Sequence, residues 1–477
     1  MIELALSLVM ATSVPTPLVE TLAGPVEGLI ERNLSVYRGI PYAKPPIGSL
    51  RWRAPQKADR WMAKRIAHEF GPVCMQADPK GDSGVGDESP SEDCLTLNIW
   101  SQVNGAGRRP VMIWIHGGGY ISGSGSAALY DGSALAERGV VVVTFNYRLG
   151  RFGFFDHPEL AELNEGANFG LLDQRAAFQW VRDNIAAFGG DPNQITLFGN
   201  SAGGESILFH MTSPGSRGLF KRAIVQSGLG GRDLLKSSAS VDRDRASTPI
   251  ADLRALKGPD ILAWGTPSLY RGFGPTVDGI VIRGRIEDAF RARRQTPVPL
   301  IIGYNSFEIP PAGVGGTKAA LALVGHDEKQ RASAIAAYGA ADIYEQKVAS
   351  DALFRMPAVR LGQLHARAGN AAWAYEFDIV APAVAERLSG APHASERAYI
   401  FNNLQALGWA AEKRDAIIAR ELADRWTTFA KTGNPGTKSK PWPRLKRGKT
   451  DILSITYNGV PRDLGISHAL ARFFNLP

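Results

Sequence analysis

A serine at the apex of a glycine-rich turn is the residue of this sequence best placed for nucleophilic chemistry. An apolar, β-prone run over 195–198 leads into Gly199-Asn-Ser-Ala-Gly203, and a helix-compatible run follows over 205–211. A turn this tight strains the backbone at the serine, and only glycine two positions to either side avoids a clash with neighbouring elements. We therefore predict that the turn exposes the Ser201 hydroxyl and directs the first N–H groups of the helix toward the group that it attacks.

A second glycine-rich segment lies upstream, directly after another strand-like run. Residues 110–116 are apolar and predict a buried strand, and three glycines follow at 117–119. An enzyme that transfers acyl groups needs two or three backbone N–H donors where a carbonyl oxygen becomes negative. We predict that the N–H groups of Gly118, Gly119 and Ala202 form this oxyanion hole. A flexible glycine turn is the alternative interpretation, since further glycines follow in the same loop.

A serine nucleophile also needs a base, and the base needs an acid that orients it. Residues 297–304 form an apolar, strand-like run, and Glu308 lies in the polar loop that follows. A further strand is predicted over 371–377, and the loop beyond it contains His393. This order along the chain, serine, acid and histidine, is the one that the strand–turn–helix serine motif requires. We predict Glu308 as the acid and His393 as the base, with Asp378 as the alternative acid.

The other histidines fit a catalytic base less well because of their positions along the chain. Several precede the acid or belong to other motifs, one lies in a charged segment, one in an alanine-rich helix and one near the end of the sequence: His68, His116, His157, His210, His326, His365 and His468. A lone histidine is more often structural than catalytic, so His393 is favoured by its position alone.

The elements around these residues predict an alternation of strands and helices. Hairpin strands are expected over 18–38, and a central parallel sheet with crossover helices over 111–226. The alanine-rich stretch 319–367 is expected to be helical and to line the site. A late helix is expected over 412–431, with Trp426 and Phe429 packed into the core.

A series of ordered segments spans the chain from near its start almost to its end: YRGIPYAKPPIGSLRW, SEDCLTLNIW, IWIHGGGY, FNYRLGRFGF, NFGLLDQRAAFQWVRDNIAAFGGDP, ITLFGNSAGG, QSG, PTVDG, APHASE and WTTFAKTGNP. Together these segments resemble the type-B carboxylesterases of the α/β-hydrolase superfamily, the group that includes cholinesterases and bacterial p-nitrobenzyl esterases. The resemblance implies an α/β fold with a mostly parallel central sheet, helices on both faces and helical insertions around a gorge.

The resemblance also implies a function, a serine carboxylic ester hydrolase that needs no metal or organic cofactor. It assigns Ser201 as the nucleophile, Glu308 as the acid and His393 as the base, with the oxyanion hole predicted above. The same mechanism on carbamate, amide or lactone substrates stays open, because the walls of the pocket are not placed by the sequence. A non-catalytic binding module on the same fold is disfavoured, because the chain retains all three triad residues.

Several further residues take a role only from the resemblance. Ser227 resembles a serine that lies next to the triad without being part of it. Glu92 with Arg148 resembles a structural ion pair. Cys74 and Cys94 resemble the family's first disulfide loop, with two buried free thiols as the alternative.

The sequence departs from the family at two positions near the site. Asn200 stands where the family usually has an acidic residue, directly before the nucleophile. We expect the loss of that carboxylate to lower the pKa of His393 or to alter the handling of the leaving group. The acid motif is also altered, because Glu308 lies between Phe307 and Ile309 rather than in the usual acidic-Glu-Gly string.

Composition is that of a globular enzyme, with 44% hydrophobic and 21% charged residues among 477. The net charge of +8 comes from dispersed basic residues, and no nucleic-acid motif accompanies them, so we expect these residues to lie on a solvated surface. The expected partner is a small-molecule ester. No apolar run approaches the roughly 20 residues of a membrane span. The oligomeric state is not predicted.

The motifs thread one unit, so residues 17–477 are predicted to form a single domain. Residues 1–16 are predicted to be a signal-like or disordered segment, because 4–11 is apolar and small residues follow, although no basic residue precedes it. Together with the expected disulfide, this segment favours export to the periplasm or the medium, with a cytoplasmic location as the alternative.

Overall fold

The computed structural model of this chain describes residues 17–77, 89–103, 107–228, 245–264, 274–311, 315–386, 388–407, 409–446, 451–457, 461–463 and 467–476. The signal-like segment 1–16 lies outside the described residues. Much of the polar stretch after Ser227 does so as well.

The described strands, in chain order, are β1 (Leu18–Glu20), β2 (Pro25–Glu27), β3 (Leu29–Glu31), β4 (Leu34–Pro41), β5 (Arg65–Ile66), β6 (Val73–Cys74), β7 (Pro90–Ser91), β8 (Thr96–Gln102), β9 (Arg109–Ile115), β10 (Val141–Phe145), β11 (Gly190–Asn200), β12 (Arg222–Gln226), β13 (Leu300–Asn305), β14 (Ala372–Phe377), β15 (Asp451–Ile455) and β16 (Pro461–Asp463).

The described α-helices are α1 (Ser133–Ala136), α2 (Gly150–Gly153), α3 (Pro158–Glu162), α4 (Phe169–Asn184), α5 (Ala202–Thr212), α6 (Ile250–Ala255), α7 (Gly258–Leu262), α8 (Ile286–Arg291), α9 (Thr317–Val324), α10 (Glu328–Tyr338), α11 (Ala341–Ser350), α12 (Met356–Arg367), α13 (Arg397–Ile400), α14 (Lys413–Thr432) and α15 (His468–Phe473). A π-helical turn, Asp351–Arg355, joins α11 to α12. Short 3₁₀ turns lie at Gly48–Leu50, Ala128–Tyr130, Ile185–Phe188, Pro214–Ser216, Pro382–Val384 and Leu404–Ala406.

An eleven-stranded sheet forms the centre of the molecule, in the order β16-β15-β14-β13-β12-β11-β9-β10-β8-β4-β3. The seven strands from β15 to β10 run parallel to one another. At one edge β16 pairs antiparallel with β15, and toward the other edge the neighbouring pairs β10–β8, β8–β4 and β4–β3 are all antiparallel. Strands β10 and β13 are buried along their whole length, as expected for parallel strands covered on both faces. The predicted α/β-hydrolase architecture is confirmed.

The two faces of the sheet carry separate apolar cores, as the alternation along β9 shows. Val111 and Ile113 belong to the cluster on one face, while Met112 and Trp114 belong to the cluster on the other. Helices α4, α5 and α12 cover the first face with buried side chains. Helix α14 covers the second, where its Trp426 is buried as predicted.

Most of the predicted elements are present where the sequence placed them. The hairpins at the start of the described chain are β1 with β2 and β3 with β4. The alanine-rich stretch forms α9 to α12, and the late helix is α14, in which Phe429 is also buried. No helix in the described ranges combines the length and apolar character needed to cross a lipid bilayer.

The disulfide between Cys74 and Cys94 is formed, as the resemblance implied.

The predicted pairing of Glu92 with Arg148 is wrong. Glu92 instead makes two hydrogen bonds with Arg51, at 2.6 and 2.7 Å. Arg148 directs its guanidinium to Asp173 on α4, also through two hydrogen bonds of 2.7 Å. Each carboxylate is thus bound by the planar fork of a different arginine.

Candidate active site

The serine motif forms the predicted turn between β11 and α5. Ser201 has φ 56° and ψ −124°, a conformation that few non-glycine residues adopt, and its N–H donates to the carbonyl of Gln226 on the neighbouring strand. A Cβ atom at Gly203 would lie 2.0 Å from the carbonyl oxygen of Ile115, and one at Gly199 would lie 2.8 Å from that same oxygen. The two flanking glycines are therefore required by the close approach of β9.

The glycine loop after β9 packs directly against this turn. A Cβ atom at Gly117 would lie 3.1 Å from the Cβ of Ser201, and Gly118 and Gly119 both have positive φ, at 97° and 61°. Among the described residues, the N–H groups of Gly118, Gly119 and Ala202 find no hydrogen-bond acceptor. Three unused donors on segments that meet at the serine are the property that an oxyanion hole needs.

Glu308 and His393 are joined by a direct hydrogen bond, 2.6 Å from His393 Nδ1 to Glu308 Oε2. The other carboxylate oxygen, Oε1, accepts the Ser227 hydroxyl at 2.6 Å and the backbone N–H of Asn305 at 2.7 Å. An ionised carboxylate only accepts, so Nδ1 of the histidine donates, and Nε2 is the acceptor nitrogen of this tautomer. The histidine side chain is 26% exposed, whereas the carboxylate is buried.

These residues follow four adjacent strands of the sheet. Ser201 follows β11, Ser227 follows β12, Glu308 lies beyond β13 and His393 lies beyond β14. The carboxyl ends of parallel strands lie at one edge of a sheet, which brings the four side chains to a common rim. The acid and base loops are also joined directly, since the Phe307 N–H donates to the carbonyl of Ala391.

The structure unites the acid with the base but places no hydrogen bond between the Ser201 hydroxyl and His393 in the part of the chain that it describes. Their neighbours are linked instead. The Asn200 side chain, one residue before the serine, donates to Glu396, three residues after the histidine, at 2.7 Å. Catalytic hydrogen bonds of this kind often tighten only when substrate binds.

Sequence reasoning missed three residues in the surroundings of Glu308 and His393. Glu396 accepts hydrogen bonds from both Asn200 and Asn305. It belongs to the segment APHASE, which the sequence analysis identified without giving this glutamate a role. Phe354 packs its ring 4.9 Å from the His393 ring. It lies in the π-helical turn, and the residue before that turn, Ser350, accepts the N–H of Ile309, next to the acid. No sequence signal distinguishes this turn from an ordinary helix.

The other buried histidines have structural surroundings. Burial lowers the pKa of His116 to about 4 and that of His210 to about 3, so both rings are neutral at pH 7. His116 stacks on Tyr147, and His210 is held between Ser216 and Gln174.

The alternative acid, Asp378, accepts the hydroxyl of Ser306 at 2.6 Å, whereas Glu308 is the carboxylate hydrogen-bonded to His393. Within the described ranges, no group of three or more histidine, cysteine, aspartate or glutamate side chains is arranged to hold a metal ion.

Comparisons with known proteins agree on one group. A family model described as "Carboxylesterase family" matches residues 15–248 and 338–470. The chain is 36% identical to the fumonisin B1 esterase of Sphingopyxis macrogoltabida, over 94% of this chain and 88% of that protein. It is 35% identical to the para-nitrobenzyl esterase of Bacillus subtilis (strain 168), over 92% and 94% of the two chains. A solved structure titled PNB esterase superposes with a TM-score of 0.84 at 31% identity, covering 97% of this chain and all of the other.

Proposed function

Because the chain belongs to the carboxylesterase family, whose members hydrolyse carboxylic esters, we propose that it acts on small to medium esters through a triad of Ser201, His393 and Glu308. The observation that supports this most directly is the hydrogen bond of 2.6 Å between His393 and the buried Glu308. It fixes the tautomer in which Nε2 can take a proton from the serine hydroxyl. The strained serine turn and the three unused N–H donors beside it add the nucleophile and the oxyanion hole.

The reaction begins when Nε2 of His393 takes the hydroxyl proton of Ser201 and the serine oxygen attacks the ester carbonyl carbon. Glu308 stabilises the imidazolium that results. The carbonyl oxygen becomes negative and accepts the N–H groups of Gly118, Gly119 and Ala202, each donor contributing about 3 kcal/mol to the stability of the transition state.

The tetrahedral intermediate then collapses. The alkoxide leaves as an alcohol after taking the proton from His393, and an acyl-enzyme remains on Ser201. Water, deprotonated by the same histidine, attacks the acyl carbonyl, and the carboxylic acid is released with the serine regenerated.

A panel of p-nitrophenyl esters of increasing acyl length, run on the wild type and on Ser201→Ala, tests this proposal. We expect activity on the short and medium esters and its loss in the variant. Ser333→Ala, which removes a hydroxyl from the exposed surface of α10, is the matched control and should hydrolyse the esters like the wild type. Hydrolysis that persists in Ser201→Ala at the wild-type rate would end the assignment of the nucleophile.

Export to the periplasm or the medium is a separate proposal, supported by the disulfide between Cys74 and Cys94, because such bonds persist in oxidising compartments. Cell fractionation, with the mature N-terminus determined by mass spectrometry, tests it. Recovery of the intact chain in the cytoplasm with both thiols reduced would contradict it.

A further inference from the structure

A second carboxylate, Glu396, lies beside the acid and the base and is 0% exposed. Both of its oxygens accept amide N–H groups. Oε1 accepts from Asn200 Nδ2 at 2.7 Å and from Gln226 Nε2 at 3.3 Å, and Oε2 accepts from Asn305 Nδ2 at 2.9 Å. The proposed triad uses none of these four side chains to move a proton, so the cluster has no role in the steps described above.

The orientation of two of the three amides is fixed by other partners. Gln226 Oε1 accepts the indole N–H of Trp426, and Asn305 Nδ2 also donates to the carbonyl of Pro392. Both side chains therefore present N–H groups to Glu396. Such surroundings fit a carboxylate, which only accepts, whereas a protonated carboxyl would need an acceptor of its own. Hydrogen bonds to the charged form favour that form.

The charges around Glu396 act in opposite directions. Burial, the largest effect, and the nearby Glu308 raise the pKa of Glu396 above its usual value, and the hydrogen bond from Asn305 and the charges of Arg397 and His393 oppose that rise only in part. Among the described residues, Tyr375 also interacts electrostatically with Glu396, and burial raises the pKa of this phenol well above its usual value, so it stays neutral. When Glu396 is ionised, a protonated His393 is favoured by two buried carboxylates, Glu308 in contact with the ring and Glu396 acting on it through space.

We propose, as an extension of the proposed ester hydrolysis, that Glu396 is a positioning residue that supports the protonated form of His393 through space, and that the amide of Asn200 keeps Glu396 ionised. A carboxylate at position 200 would face Glu396 at hydrogen-bond distance, and two carboxylates that close must share one proton. The amide donates an N–H instead. The negative charge that the family usually has before the nucleophile is in this chain carried by Glu396 alone.

The pH dependence of kcat/KM for a short p-nitrophenyl ester tests this role in a wild type whose activity has been shown to require Ser201. Glu396→Gln removes the charge and keeps the size. We expect the acidic limb, which reports protonation of the base, to move about one pH unit lower, because loss of a nearby negative charge lowers the pKa of His393. The plateau should fall about tenfold, since a shift of one unit corresponds to that factor.

An exchange of the two side chains distinguishes charge from structure. The double variant Asn200→Glu/Glu396→Gln retains one carboxylate against one amide, so its acidic limb should return toward that of the wild type. Asn200→Glu alone, in which the pair shares a proton, should keep the limb near the wild-type pH. Asp415→Asn is the matched control, because Asp415 is also 0% exposed but lies on α14, bonded to Tyr399 and Tyr457, and its limb should not move.

An acidic limb of Glu396→Gln that coincides with that of the wild type would overturn the proposal, even if the activity falls. A double variant that keeps the limb of Glu396→Gln would do the same, and it can be judged against Asn200→Glu if the single glutamine variant does not fold. Either result leaves the triad standing, whereas activity that survives Ser201→Ala removes the triad itself.

Discussion

Replacement of Glu308 by glutamine is a sharp test of the acid and base, because the structure determines how the new amide must lie. The position of Oε1 receives two donors, the Ser227 hydroxyl at 2.6 Å and the backbone N–H of Asn305 at 2.7 Å. Only the carbonyl oxygen of the glutamine can accept both. Its NH₂ group must then occupy the position of Oε2, which lies 2.6 Å from Nδ1 of His393.

An NH₂ group donates, so Nδ1 has to accept and the ring proton has to move to Nε2. In this tautomer the imidazole cannot take the proton of Ser201. The loss of the correct tautomer in a serine triad lowers kcat about 10⁴-fold, which corresponds to about 5 kcal/mol of transition-state stabilisation. Because the hydrogen bonds around the side chain are all kept, we expect little change in the melting temperature.

The assay is the steady-state hydrolysis of p-nitrophenyl acetate, with thermal unfolding followed in parallel. Glu376→Gln, the same substitution at another buried glutamate on β14, is the matched control and should keep kcat close to that of the wild type. A Glu308→Gln enzyme within about tenfold of the wild-type kcat would refute the reasoning, because it would mean that the tautomer of His393 is not set by this residue.

Three further substitutions test the surroundings of the site. Ser227→Ala removes one charge-assisted hydrogen bond from Glu308, the proposed triad acid, and should lower kcat by about tenfold to a hundredfold in steady-state assays; an unchanged kcat would show that the remaining backbone donor suffices. Gly203→Ala should lower the melting temperature or the soluble yield, since its Cβ would lie 2.0 Å from the Ile115 carbonyl oxygen, and a stable, active variant would mean that the turn relaxes easily. The double variant Cys74→Ser/Cys94→Ser should lose about 3 kcal/mol of the free energy of unfolding in denaturant titrations, and equal stability would show that the bridge does not constrain the unfolded chain.

The positions of those site segments that have a local sequence pattern could be predicted from the sequence. The serine turn, the glycine loop and the strands before Glu308 and His393 each have a local pattern, and parallel strands bring their carboxyl ends together without further information. The hydrogen bond between Glu308 and His393 followed from this arrangement.

Side-chain contacts between segments that are distant in the chain could not be predicted from the sequence. Asn200 and Glu396 are 196 positions apart, and only the folded sheet makes them partners. The wrong prediction for Glu92 and Arg148 has the same origin. Charge alone does not decide which arginine reaches a given carboxylate, and in the structure Glu92 pairs with Arg51 and Arg148 with Asp173. The π-helical turn that carries Phe354 is set by hydrogen bonds from i to i+5, which a run of five residues inside a longer helical pattern does not specify.

The order of the strands has a consequence for how the enzyme gains its activity during synthesis. The proposed nucleophile, Ser201, directly follows β11, the proposed base, His393, lies beyond β14, and β12 and β13 lie between these two strands. A nascent chain that has folded only as far as α5 contains Ser201 but does not yet contain His393 to activate it. Ester turnover by the proposed triad therefore requires β14 to be docked in the sheet, so the appearance of activity after dilution from denaturant reports the chains in which β11 to β14 are assembled and does not report states formed before that assembly.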